Sequence, residues 1–423
     1  MRSLAVCLAT CGLIFASCSS NDVFEENKEL HSDGDISFSA NTTRAIVNTL
    51  DKVKGGFRVY ATKADLNDWY IYEGNNNIYY FNTSKDKWDW QDAAGLPVKH
   101  SWPTTAAEYP MNFYAFYPQT ADRFVLATTT VGTVTATITI EADPAKQTDF
   151  LAANYKNVTT KPASGKLNLM FGHITSKVNF SVIAGTGSKV FVQQLHMQNV
   201  GNAGTFKYND LAWGAFTSEY LGQYKYYPAV VVPSQDKALP TFTPTTADES
   251  TKNPVYTTET DRHLMLRPQT NTPGWTWTQT KPAPTTPIVP TKAYIESVYR
   301  IEANGDVNAV GYNDASKHPD FSKLSAENQA VLKGKPLFVK VGFPLGATLT
   351  WEQGKGYNYN LMLGTAAGTG GIIIDNKYYD EKGNPTDLTI DGKDIGDPVN
   401  DGDIHFNVDV TEWGGDLEGS IIQ

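Results

Sequence analysis

The sequence predicts a mainly β protein, and three observations carry that prediction. Apolar residues recur at every second position in short segments, the segments are bounded by Gly, Asn, Asp or Pro, and helical periodicity is scarce. Val134, Ala136, Ile138 and Ile140 alternate with Thr133, Thr135, Thr137 and Thr139, the pattern of a strand with one face in a core and one in water. The rhythm returns at Val178, Phe180 and Val182, at Tyr357, Tyr359, Leu361 and Leu363, and at Ile404, Phe406, Val408 and Val410. Short strands separated by turn residues fit antiparallel sandwiches better than strands alternating with helices.

Taken in order, the chain opens on an address. Met1-Arg2 and the apolar run Leu4 to Ala16 have the charge and length of a secretory signal over residues 1–17, shorter than the roughly 20 residues a membrane span needs. Phe15-Ala16-Ser17-Cys18 resembles a bacterial lipobox, with Phe15 where Leu is usual, so Cys18 is the expected lipidation site. Each buried acyl methylene adds about 0.8 kcal/mol, so a multiply acylated Cys18 anchors stably to a membrane leaflet. Asp22, Glu25, Glu26, Glu29, Asp33 and Asp35 against Lys28 make the next stretch a solvated tether, and residues 18–44 read as a lipidated propeptide.

Beyond the tether the reading is strand after strand. One helical candidate lies at about Ser322 to Leu332, stopped by Gly334. Between Pro240 and Pro290 lie nine of the 22 prolines and many threonines, which predicts an irregular excursion or edge-strand region over residues 240–290. A length of 423 residues allows two or three domains with real cores.

Composition excludes several function classes. With 40% hydrophobic and 12% aromatic residues the chain has ample material to bury, so wholesale disorder is out. A formal charge of -10 with scattered bases repels phosphate backbones, so no nucleic-acid partner is expected. All 3 cysteines (Cys7, Cys11, Cys18) precede residue 19, which removes a disulfide framework, a cysteine zinc site and a thiol nucleophile from the body of the protein.

Motifs for catalysis are missing. The 7 histidines form no His-Glu-x-x-His or paired-ligand spacing, and neither Gly-x-Ser-x-Gly nor a Walker glycine loop occurs. His173 reads as a hydrogen-bonded structural imidazole, and His405 as solvent-facing on its strand. The acidic run Asp387, Asp391, Asp394, Asp397, Asp401 and Asp403 has hard oxygen ligands of the kind calcium takes. It lacks the EF-hand spacing, and Asp-Gly clusters are ordinary turn chemistry. No metal site and no cofactor are therefore predicted. Trp69, Tyr70, Tyr72, Tyr79, Tyr80, Trp88, Trp90 and Trp102 crowd one stretch, which suits either sandwich core and cross-strand pairs or an exposed platform for sugars and proteins.

Further segments carry a resemblance. They are Ile36-Ser37-Phe38, Thr43-Arg44-Ala45, Phe57-Arg58-Val59-Tyr60-Ala61, Trp102-Pro103 and Met111-Asn112-Phe113-Tyr114-Ala115-Phe116-Tyr117-Pro118. Thr148-Asp149-Phe150-Leu151-Ala152-Ala153 and the run Leu169 to Phe180 follow. Near the end come Trp351, Gly354, Tyr357 to Leu361 and Ile404 to Trp413. In this order, behind a lipobox, they resemble the fimbrillins of the Bacteroidales, the type V pilins and fimbrillin-like cell-surface lipoproteins.

The resemblance implies two tandem transthyretin-like antiparallel β-sandwich domains, here 45–184 and 185–423, and export to the outer membrane and cell surface as a lipoprotein. It further implies cleavage by an arginine-specific protease after Arg44, leaving Ala45 as the new N-terminus. Such a cut releases the short strand Ile36 to Asn41, with Ile36 and Phe38, and uncovers a sheet edge and an apolar groove. Another fimbrial subunit, of the same or a related kind, then fills the groove by strand addition. The expected donor is either Ile404, Phe406, Val408 and Val410 in the strand Ile404 to Glu412, or the tail Leu417 to Ile422. The implied function is a structural or adhesive subunit of a surface fimbria, without enzyme chemistry, whose partners are other subunits, the membrane through its lipid, and a host or bacterial surface ligand. The alternative is an uncleaved outer-membrane lipoprotein that grips glycan or host protein with the aromatic cluster.

Overall fold

The computed structural model describes residues 35–42, 55–63, 69–72, 77–82, 87–92, 94–119, 124–130, 133–143, 146–184, 187–214, 221–226, 230–232, 253–254, 264–271, 292–303, 305–345, 349–363, 371–399, 406–412 and 417–422. It is built mainly of β-sheets, as the alternation predicts. In the largest, of nine strands, the order is Ser37–Thr42, Lys166–His173, Leu151–Val158, Met111–Tyr117, Phe57–Thr62, Ile78–Asn82, Lys87–Gln91 and Pro97–Val98, with Trp69–Ile71 also against Phe57–Thr62. A four-stranded sheet joins Ala212–Trp213, Ala203–Lys207, Thr133–Thr139 and Phe124–Thr130.

Later residues build two further large sheets. One runs Asn253–Pro254, Ser176–Ala184, Lys355–Leu363, Phe406–Glu412, Leu417–Ile422, with Leu264–Leu266 also on Ser176–Ala184. The other runs Leu221–Tyr226, Ser188–Gly201, Tyr294–Ala303, Phe338–Pro344, Ile372–Tyr379, with two short strands added. Among the described pairings all are antiparallel except two, Ser37–Thr42 on Lys166–His173 and Ser176–Ala184 on Lys355–Leu363.

The alternation explains the layers. In Thr133–Thr139 the residues Val134, Ala136 and Ile138 are fully buried while the threonines between them are at the surface or partly covered. They meet Tyr60, Tyr114 and Phe116 from the nine-stranded sheet, and the same core continues through Val178, Phe180 and Val182 to Val190, Tyr299 and Val341. The opposite face of the nine-stranded sheet is also apolar. Phe57, Val59, Phe113, Ala115, Leu151 and Ala153 there pack with the N-terminal strand into a second core. Strands such as Met111–Tyr117 are thus covered on both faces, and each large side chain so buried contributes about 1.5–3 kcal/mol.

The chain passes from the first large sheet to the next through Ile174 and Thr175 alone. Both are pinned: Ile174 donates its N–H to the Phe150 carbonyl (3.0 Å), the Trp213 Nε1–H donates to the Ile174 carbonyl (2.6 Å), and the Gly354 N–H donates to the Thr175 carbonyl (2.9 Å). The strands Ala203–Lys207 and Ala212–Trp213 then return to Thr133–Thr139. The fully buried Arg267 ties this return to the later sheets, donating to the Gly214 carbonyl at 2.7 Å and lying 5.3 Å over the Trp213 ring.

The helical expectation at Ser322 to Leu332 resolves into a short 3-10 turn, Phe321–Lys323, and the helix Ala326–Leu332. Ser325 caps the helix through its hydroxyl, which accepts from the Asn328 N–H, and Gly334 leaves it at a φ of +74°. No helix among the described residues is long and apolar enough to cross a membrane.

Candidate functional site

The feature that stands apart is the seat of the N-terminal strand. Ser37–Thr42 lies at one end of the sheet order, paired in parallel with Lys166–His173 from Ser37 opposite Lys166 to Thr42 opposite Phe171. A terminal strand held on one side in a parallel ladder is the arrangement that gives up least backbone pairing on leaving. Its side chains are held far more firmly. Ile36 and Phe38 are 1% and 3% exposed.

Phe38 sits in an aromatic cage. Its ring meets Tyr79 at 5.2 Å, Trp90 at 5.6 Å, Phe113 at 5.8 Å and Phe57 at 6.4 Å, each edge to face. The cage is built by register. The hairpin strands Ile78–Asn82 and Lys87–Gln91 place Tyr79 opposite Trp90, and Phe57 and Phe113 come from the two neighbouring central strands. Tyr79 also stacks on Trp88 at 5.5 Å.

Polar contacts fix the strand's position along the groove. The Ile36 N–H donates to the His100 carbonyl (2.7 Å), the Trp90 Nε1–H donates to the Ile36 carbonyl (2.8 Å), and the Phe38 N–H donates to the Tyr79 hydroxyl (3.2 Å). Burial pushes the Tyr79 phenol well above its ordinary range, so it stays neutral and able to accept. At the entry Asp35 bridges Ser101, accepts from its hydroxyl at 3.3 Å, and lies 3.7 Å from the Lys99 ammonium. The Ser37 hydroxyl and the Trp102 Nε1–H both donate to the Gly165 carbonyl, at 3.3 and 3.0 Å.

The groove-forming residues Tyr79, Trp90 and Trp102 belong to the aromatic cluster singled out in the sequence, and they are 1%, 5% and 4% exposed. Trp69, Tyr70 and Trp88 are partly buried against the cores, Tyr80 is half-buried, and Tyr72 is the exposed member. Lys99, Ser101, Phe57 and Phe113 are not picked out as site residues by sequence, because only the fold brings them to one strand.

The C-terminal candidates lie elsewhere. Phe406–Glu412 pairs with Lys355–Leu363 on one side and Leu417–Ile422 on the other, Val408 facing Tyr359 and Ile421 in register. Val408 is fully buried and Val410 packs at the margin of the main core. Cys18, Arg44, Ala45, Ile404 and His405 lie outside the described residues.

In the acidic loop Asp391 accepts from the Tyr312 hydroxyl (2.6 Å) and Asp387 from the Asn328 amide (2.7 Å). Among the described residues no group of three or more His, Cys, Asp or Glu is arranged to hold a metal ion. His173 pairs through Nδ1 with Asp149 at 2.8 Å, a hydrogen-bonded imidazole in the strand that leads into the sheet junction.

Comparison with known proteins identifies the family. The family model described as fimbrillin-like matches residues 43–310. The chain belongs to the fimbrillin-like family. No curated protein matches it by sequence. Among solved structures, a fimbrial protein from Bacteroides vulgatus ATCC 8482 is similar at 14% identity and a TM-score of 0.49, covering 82% of this chain and 98% of that one. A candidate cell adhesion protein from Bacteroides eggerthii DSM 20697 aligns at 12% identity and a TM-score of 0.38, over 90% of this chain and 93% of its own. Another, from Bacteroides uniformis ATCC 8492, aligns at 12% identity and 0.38 over 80% and 95%.

Proposed function

We propose that this fimbrillin-like chain is a structural or adhesive subunit of a surface fimbria, exported as a lipoprotein on Cys18, cut between Arg44 and Ala45, and assembled by strand donation. The observation that supports this reading is the seat of Ser37–Thr42, a terminal strand in parallel pairing whose Ile36 and Phe38 fill an otherwise complete aromatic pocket. Removing residues up to Arg44 takes the strand away and leaves two unsatisfied features together. One is the open edge of Lys166–His173, with unpaired N–H and C=O groups. The other is a cage of Phe57, Tyr79, Trp90 and Phe113 with no ring inside it.

An extended segment from another subunit satisfies both at once, with ladder hydrogen bonds for affinity and alternate side chains for specificity. Family membership places the chain among fimbrillin-like proteins and so favours other fimbrial subunits as the partners. The lipid keeps the precursor at the outer membrane until maturation, and the short sequence Asn41-Thr42-Thr43-Arg44-Ala45 is small and polar, suited to a protease cleft.

The test is to express residues 19–423, treat them with an arginine-specific protease, sequence the new N-terminus and run unboiled denaturing gels. A terminus at Ala45 with a ladder of resistant oligomers is the expected result. Resistance at Arg44 would transfer the reading to an uncleaved surface lipoprotein.

A further inference from the structure

The excursion between the strands Asp306–Val310 and Phe338–Pro344 forms one wall of a cleft that takes no part in the strand seat. The cleft has a volume of about 360 Å³ and lies between residues 320–328 on one side and 387–389 on the other, lined by Asp320, Lys323, Ser325, Asn328, Asp387 and Thr389. Its size stands at the small end of the roughly 300–1,000 Å³ of ligand sites. We infer that this cleft binds a neutral sugar, one pyranose ring at a time. The inference gives the adhesive side of the proposed function a ligand class and is independent of strand donation, so each can fail without the other.

The walls are fixed before any ligand arrives. The His318 side chain is fully buried and joins them: its Nδ1 accepts from the Asp320 N–H (3.1 Å), which puts the proton on Nε2, and Nε2–H donates to the Thr389 carbonyl (3.0 Å). A second tie runs from the Asn328 amide to Asp387 Oδ2 at 2.7 Å. The Gln329 amide donates to the Ser322 and Leu324 carbonyls (3.3 and 2.8 Å) and so holds the 3-10 turn against the helix. A cleft tied at these points loses little conformational freedom when it is filled.

The lining chemistry selects the ligand. Each sugar hydroxyl is both donor and acceptor, and the cleft offers both kinds of partner close together: the Asp387 carboxylate, the Asn328 amide, and the hydroxyls of Ser325 and Thr389. Leu324 and the buried Leu388 add apolar surface for the C–H groups of the ring. A phosphate or an acidic sugar meets two carboxylates against one ammonium, and Lys323 is already held by Asp320 at 2.6 Å. Calcium takes six to eight oxygens, more than Asp320 and Asp387 bring, and both carboxylates are engaged by neighbouring side chains. Among the described residues no aromatic ring lines the cleft, so a flat hydrophobic ligand has nothing to stack on. A small, uncharged molecule rich in hydroxyls satisfies the set.

The experiment uses uncut residues 19–423, with the methyl glycosides of glucose, galactose, mannose and N-acetylglucosamine as probes and sialic acid as the anionic control. Saturation-transfer NMR detects contact and titration gives the affinity. At least one neutral glycoside is expected to bind with a Kd of about 1–10 mM, as befits a single small site. Asp387→Asn keeps the shape and an oxygen for Asn328 but loses the charge, and is expected to weaken that binding about tenfold or more at an unchanged melting temperature. Thr389→Trp fills the cleft while keeping the backbone carbonyl that holds His318, and is expected to abolish binding.

Equal binding by the wild type and both variants would put the sugar elsewhere on the chain and overturn the inference. Preference for sialic acid, or no binding of any neutral glycoside by the wild type, would overturn it as well. Because the chain stays uncut, none of these results depends on assembly, and the strand-donation reading is tested separately by its own protease experiment.

Discussion

The two ends of the described chain are held in opposite ways. Ser37–Thr42 has a ladder on one side only, in parallel, and its retention depends on Ile36 and Phe38 in an aromatic pocket. Phe406–Glu412 lies between two antiparallel neighbours, with Val408 in the main core. The first is retained chiefly by its buried side chains, the second by backbone pairing on both sides. A strand whose seat is a pocket can be replaced by any strand that fits the pocket, whereas a strand woven into an interior position is replaced only by breaking ladders. This difference makes the N-terminal strand the exchangeable part.

The comparison yields graded predictions. The largest effect is expected from Phe38→Ala, which empties the cage in the uncut chain and weakens the seating of the strand by about 3–5 kcal/mol. Limited proteolysis between residues 36 and 54 should accelerate while the later sheets keep their protection. Equal protection of both ends in this variant would break the comparison. Val408→Ala should cost less, about 2–3 kcal/mol, and should loosen the C-terminal strands without touching protease access at the N-terminus.

Arg267→Ala comes next. It removes the hydrogen bond to the Gly214 carbonyl and the packing on Trp213, so denaturant unfolding should shift by about 1.5–3 kcal/mol. Unlike the two preceding variants it should affect both ends together, because it joins the four-stranded sheet to the later ones.

Alkaline pH supplies a test with a defined sign. Burial raises the phenols of Tyr79, Tyr208, Tyr224, Tyr299 and Tyr359 above their ordinary range. A folded-state value above the unfolded one of about 10 means that their contribution is fully present below pH about 10 and is lost as pH rises beyond it. Stability should be flat on this account up to that point and then fall, and tyrosinate absorbance should appear together with unfolding rather than before it. The smallest effect belongs to Lys99→Ala in the uncut chain. Lys99 is largely exposed, so its ion pair with Asp35 should be worth under about 1 kcal/mol and should weaken in salt.

Much of this was legible in the sequence. The alternation at Val134 to Ile140, Val178 to Val182 and Tyr357 to Leu363 marks strands whose burial follows the same parity, because a side chain on a strand has only two directions to point. Ile36 and Phe38 were legible as a short strand, and the pocket around Phe38 was not, since Phe57, Tyr79, Trp90 and Phe113 are separated by long stretches of chain that only tertiary pairing closes. The aromatic crowding from Trp69 to Trp102 was visible, yet composition does not distinguish a platform from a core. The passage between the first two large sheets at Ile174 and Thr175, and the return of strands 203–213 to pair with 133–139, were not legible. Long-range returns of that kind leave no local pattern.

Hydrogen exchange on the protease-treated chain bears most directly on the claim that the N-terminal strand is exchangeable. The account predicts that the amides of Lys166–His173 lose protection when the segment before Ala45 departs and regain it as oligomers form. Unbroken protection of Lys166–His173 after cleavage would contradict it.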